Sequence, residues 1–89
     1  MNAASDEKNV TVVTEVHSGS LDGQASVWMI PISRQQYESR GRTQFAECQG
    51  ALKAIGPLPA DHARQFEDVL LRALDALGYQ VHKSTVTGA

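Results

Sequence analysis

The histidines, the single cysteine and one arginine-rich segment hold most of the chemistry open to this chain. A zinc-type site needs three or four N, S or O ligands converging on one point. His17 and His82 lie on segments that read as strands, His62 lies on a helix, and no carboxylate is placed to complete a set. They read as surface residues, and no metal is expected. Cys48, in the run Phe45-Ala46-Glu47-Cys48-Gln49-Gly50, falls on an apolar stripe. It reads as a small buried hydrophobe, because a reactive thiol needs an electropositive, partly exposed setting. A lone cysteine also excludes an intramolecular disulfide and a cysteine metal frame, and a reducing cytoplasm is the simplest setting.

Other catalytic patterns are missing or incomplete. The serines lie in no G-x-S-x-G elbow, and the adjacency in His17-Ser18-Gly19-Ser20 carries no triad geometry. The stretch from Ser18 to Gly23 lacks both glycine-rich phosphate-loop spacings and joins two strand-like segments, so it reads as a hairpin loop. Asp6 with Glu7, and Glu67 with Asp68, are sequence neighbours; the latter two are placed on the solvated side of a helix. These observations predict a chain without catalytic residues or cofactor.

The basic cluster runs from Arg34 to Gln44, with Arg34, Arg40, Arg42, Tyr37 and several glutamines. Arginine and glutamine read base edges and tyrosine stacks on bases, so this is the best case for nucleic acid. Against it stand a formal net charge of −2 and the absence of a helix-turn-helix, zinc-finger or RNP signature. The same residues suit the rim of a protein interface.

These side chains must be positioned by a small set of elements. Residues 9–17 are dense in β-branched types and predict a strand. One face carries Val10, Val12, Thr14 and Val16; the other carries Thr11, Val13, Glu15 and His17. A second strand is expected from about Ala25 to Ile32, paired antiparallel with the first. It holds Ser26-Val27-Trp28-Met29-Ile30-Pro31-Ile32-Ser33, apolar at nearly every position. Trp28, Ile30 and Ile32 share one face, while Val27, Met29 and Pro31 share the other. Pro31 cannot donate to a ladder and points to an edge or to the strand's end.

Ser33 with Gln36 forms a capping box. The helix it opens is either continuous but weakened at Gly41, where glycine costs about 1 kcal/mol, or a loop from Tyr37 to Arg42 and then a shorter helix. Phe45, Cys48, Leu52 and Ile55 recur at helical spacing. Gly56-Pro57-Leu58-Pro59 is expected to stop that helix. A second helix is predicted from Asp61, as N-cap, to Leu77, with an apolar face of Phe66, Val69, Leu70, Ala73, Leu74 and Leu77. Gly78 and Tyr79 fit a Schellman ending, and Tyr79 to Lys83 reads as a third strand.

The expected fold is therefore α+β: a small antiparallel sheet in the order β-β-α-α-β, with two antiparallel helices packed on one face. Residues 1–8 read as a flexible leader without signal-peptide character, 9–86 as one domain and 87–89 as a frayed end. The composition, 42% hydrophobic and 20% charged over 89 residues, is that of a soluble globular chain. The longest apolar run is too short to span a bilayer.

Helices on one face leave the other face of the second strand uncovered. That surplus surface predicts a docking site for a second copy or for another protein. Val27, Trp28, Met29 and Ile30 would be its anchors, with Arg34, Tyr37, Arg40 and Arg42 around them. The functional expectation is a non-enzymatic protein-interaction module, a regulatory or inhibitory accessory of the phage or plasmid type. The alternative is a nucleic-acid-binding regulator using Arg34 to Gln44.

Overall fold

The computed structural model describes residues 8–17, 23–40 and 42–88; the side chains of residues 40, 42–44 and 88 lie outside that description. Strand β1 (Asn9–His17) pairs antiparallel with β2 (Gln24–Ile30), placing Val13 opposite Trp28 and Val12 opposite Met29. A short helix α1 (Arg34–Arg40) and a 3-10 helix (Arg42–Glu47) follow. Then come β3 (Leu52–Pro59), the long helix α2 (Ala60–Ala76) and β4 (Gln80–Gly88). The sheet order is β3-β2-β1-β4.

The fold is α+β, but the sheet is mixed and four-stranded. Strand β4 runs parallel to β1 along its whole length. Parallel neighbours need a long crossover, and α2 supplies it by passing over one face from the β3 edge to the β4 edge. Local sequence pattern carries no record of strand direction, so the parallel β4 corrects the antiparallel sheet that the sequence predicts.

The two helical segments lie on opposite faces of the sheet, not together on one. On the first face α2 covers Val10, Val12, Ala25 and Val27, with Met29, Ile55 and Val81 packed alongside. On the second, Tyr37, Phe45 and Cys48 close over Val13 and Ile30, with Trp28, Ile32 and Val86 around them. The strand faces thus divide as their alternation predicts, and each fully buried valine or isoleucine contributes about 1.5–3 kcal/mol.

Helix α1 opens on the expected capping box. The Gln36 N–H donates to Ser33 Oγ at 3.2 Å, and the Ser33 N–H donates to Gln36 Oε1 at 2.9 Å. Neither expected continuation occurs. Phe45 and Cys48 sit in and just after the 3-10 helix, and both enter the second core. Ile55 belongs to β3 and enters the first core, while Leu52 is left exposed. The helical spacing of these four residues was coincidental, and Gly50 at φ +85° separates the two pairs.

The stretch Gly56 to Pro59 lies inside β3 rather than ending a helix. Proline is tolerated there because β3 is an edge strand. Strand β3 runs directly into α2: Pro59 precedes the helix, and the Ala60 N–H donates to the Gly23 carbonyl at 2.9 Å. Asp61 is therefore a first-turn residue, not the N-cap. The far end follows the Schellman pattern, with Gly78 N–H to the Asp75 carbonyl and Tyr79 N–H to the Leu74 carbonyl, both at 3.0 Å.

The docked side of α2 is turned from the expected one. Ala63, Phe66, Glu67, Leu70, Leu71 and Leu74 face the sheet, while Val69 and Leu77 are exposed. Glu67, assigned to the solvated side, is 5% exposed. The described part of β4 extends past Val86, where the domain was expected to end. The leader at 1–7 and the hairpin loop at 18–22 lie outside the described residues. No described helix is long and apolar enough to cross a membrane.

Among the described glycines, Gly56 leaves the least room for a Cβ. Its φ is +121°, and a Cβ there would meet Ser26 Oγ at 2.5 Å and Ser26 Cα at 2.6 Å. Register shifts in the β2–β3 ladder surround this contact. Gly56→Ala is expected to destabilise the fold by at least about 2 kcal/mol in urea unfolding. Gly23→Ala, at φ +60° with open space around it, should cost only about 1 kcal/mol. Equal midpoints for the two variants would contradict the packing described.

Candidate protein-docking surface

The residues expected to form one surface are distributed through three environments. Val27 and Ile30 are fully buried, the former under α2 and the latter under Tyr37 and Phe45. They have no surface to offer a partner. The premise that β2 carries a surplus face fails because helical segments cover both faces. Strand β2 is also internal, between β3 and β1, so it offers no edge; Pro31 follows its last residue.

Trp28 is half-buried and held on three sides. Its ring meets Phe45 edge-on with centroids 5.3 Å apart, and its Nε1–H donates to Glu15 Oε1 at 3.1 Å. Lys53 Nζ stands 5.5 Å from the ring centroid. Glu15 reaches Trp28 because the two sit diagonally across the β1–β2 ladder on one face.

Tyr37 is 2% exposed, with its hydroxyl 2.9 Å from Ser84 Oγ and its ring edge-on to His82 at 5.5 Å. It joins α1 to β4 and presents no face for a base to stack on. Arg34 is exposed and ion-paired with Glu38 at 3.2 Å. The side chains of Arg40 and Arg42 lie outside the described residues. The arginine-rich segment is thus a cover for the second core, with Tyr37 as its anchor.

Met29 borders an open apolar depression. With Asn9, Val10, Pro31, Gly50, Leu52 and Tyr79 it lines a concavity of about 210 Å³ at one end of the sheet. Leu52, on the rim, is 58% exposed. A Cβ at Gly50 would meet Pro31 Cγ at 2.8 Å, so the floor is close-packed. From the sequence Leu52 reads as part of a helix stripe, Pro31 as a strand end and Tyr79 as a helix ending, so none of the three points to a docking site. An apolar residue opening an edge strand is the signal that would have found Leu52.

Among the described residues the candidate catalytic groups do not converge. His17 and His82 do lie on paired strands, but Thr11, not His17, stands opposite His82. Six ladder positions separate the two histidines, roughly 20 Å at about 3.3 Å per residue. Among the described residues no group of three His, Cys, Asp or Glu is placed to hold a metal. His17 Nε2 lies 2.9 Å from Ser26 Oγ, the spacing of a nucleophile and its base. Yet Ser26 is fully buried beneath the Gly56 backbone, so no substrate carbonyl reaches it.

Glu67 is the buried charge of the first layer. Its Oε2 has no hydrogen-bond donor, and Lys83 Nζ lies 3.9 Å away. Both border a concavity of about 410 Å³ with Arg64, Gln65, Asp68 and Leu71. The carboxylate is stabilised across a gap wide enough to weaken a direct bond.

Compared with protein-family models, with curated proteins and with solved structures, the chain matches none.

His82 adds a pH dependence. Burial lowers its pKa from the ordinary 6.5, Arg34 lowers it further, and Glu38 opposes both. Its Nδ1 is buried without a hydrogen-bond partner. The unfolded chain therefore takes up the proton first on acidification. The associated stability is complete above the unfolded value and is lost as pH falls through the folded value. Urea midpoints measured from about pH 7.5 to about pH 5 should fall less steeply in His82→Gln than in the native chain. Identical slopes would contradict this assignment.

Proposed function

We propose that the chain is a non-enzymatic protein-interaction module, an accessory that acts by occupying a surface on a larger protein. The observation that carries this reading is the depression between Met29, Pro31, Leu52 and Tyr79, bordered by the exposed Leu52. Its lining is mostly apolar and its mouth is open, which suits an aliphatic or aromatic side chain from a partner. The site moves from the middle of β2, as the sequence has it, to the strand's end. Met29 is the anchor common to both.

The inaccessibility of Ser26 supports a binding role over hydrolysis. Tyr37, sealed against Ser84, weakens the nucleic-acid reading of residues 34–44. Lys8 supports the depression from outside: its Nζ donates to the Leu77 carbonyl at 3.3 Å and lies 5.3 Å from the Tyr79 ring centroid. That contact fixes one wall of the depression and leaves its mouth open.

The test begins with affinity capture from the native host's lysate and mass spectrometry, followed by titration of the purified partner. Leu52→Asp changes a side chain that is more than half exposed and should spare the fold. It is expected to weaken partner binding at least about tenfold, the effect of losing a modest hot spot. Val69→Asp, exposed on α2, should leave binding unchanged. Retained affinity in Leu52→Asp, or no protein retained by the native chain, would overturn the reading.

A further inference from the structure

The two edges of the sheet differ in their fitness to accept another strand. Strand β3 contains Pro57 and Pro59, which have no N–H, and its ladder with β2 is irregular. Such an edge is a poor template. Strand β4 has no proline, and its register with β1 is unbroken from Asn9–Gln80 to His17–Gly88. Among the described residues no strand lies beyond it.

The direction of its free backbone groups follows from one hydrogen bond. The Gln80 N–H donates inward to the Lys8 carbonyl at 2.7 Å. Backbone direction alternates along a strand, so Gln80, His82, Ser84 and Val86 turn toward β1. Val81, Lys83, Thr85 and Thr87 therefore turn their N–H and C=O groups outward.

We propose that β4 pairs antiparallel with β4 of a second copy of this chain, about a two-fold axis at Ser84. In that register Val81 stands opposite Thr87 of the second copy and Lys83 opposite Thr85, with the reciprocal pairs completing the ladder. Every outward residue exchanges both of its backbone bonds. The facing pairs are β-branched or put lysine opposite threonine, so no like charges stand directly opposed. Centring the axis on Lys83 would set the two lysines against each other, and centring it on Thr85 carries Val81 past the end of β4. The proline-bearing β3 edges then end the joined sheet on both sides, so the pairing closes at a dimer. This surface is separate from the Met29–Leu52 depression and does not depend on its role.

The test uses the purified full chain with nothing added. Light scattering should give twice the 9.6 kDa of one chain, falling toward that value on dilution. Amide exchange by NMR should show Val81, Lys83, Thr85 and Thr87 protected in the concentrated sample and released on dilution, while Gln80, His82, Ser84 and Val86 stay protected throughout. Thr85→Pro removes an outward donor and no bond to β1. It should raise the dissociation constant at least about tenfold with an unchanged far-UV spectrum. Should that variant fail to fold, the exchange pattern of the native chain decides. A single-chain mass with fast exchange at the outward positions overturns the proposal and leaves the partner-binding reading intact. So does a dimer whose outward β4 amides are unprotected, and so does protection that arises only when host extract is added.

Discussion

The pairing of β1 with β2 creates a ribbon that is apolar on both faces, and water cannot be left against either without cost. Val12 and Val27 look one way, Val13 and Ile30 the other, and all are fully buried. A sheet of this kind needs a cover on each side. Helix α2 is one cover; the compact run of α1 and the 3-10 helix is the other. The layered form of the protein, the placement of Tyr37 and the burial of Cys48 all follow from that requirement.

The second cover is tied down by polar contacts as well as by packing. Tyr37 spans from α1 to Ser84 on β4, and Thr11 Oγ1 donates to the Ile32 carbonyl at 3.0 Å where the chain leaves β2. A segment of mostly polar residues thereby becomes part of the core through a few anchors. The first cover has the opposite character. It is a long amphipathic helix whose docked side includes a charge, Glu67, held near Lys83 across the α2–β4 seam. That seam exists only because β4 returns parallel beside β1.

Features set by neighbours in sequence are legible in the sequence itself. The two-face division of residues 9–17, the Ser33–Gln36 capping box and the Gly78–Tyr79 helix ending each depend on a few adjacent residues, and each is present as read. The expectation that the Thr11–His17 face is the wetter one fails, because Thr11 and Val13 are fully buried. Features set by distant partners are not legible there. Leu52 to Pro59 reads as a helix end because glycine and proline punctuate it, yet an edge strand accepts the prolines and Ser26 requires the glycine. Glu67 reads as solvated because a carboxylate costs free energy to bury, and its partner Lys83 lies on another element. The docking site suffered most: Val27 and Ile30 looked surplus only because both helices were assigned to one face.

Among the described residues, the Met29–Leu52 depression and the outward edge of β4 lie apart from each other at the sheet's periphery. The segment formed by α1 and the 3-10 helix seals the second face. Cys48 is the one cysteine in the chain and is buried where that cover meets the sheet, so its reaction with a thiol reagent in native buffer measures the seal directly. Labelling should proceed only as fast as the cover opens, well below the rate for the unfolded chain. Native-state labelling as rapid as that of the unfolded protein would mean that the second face is bare.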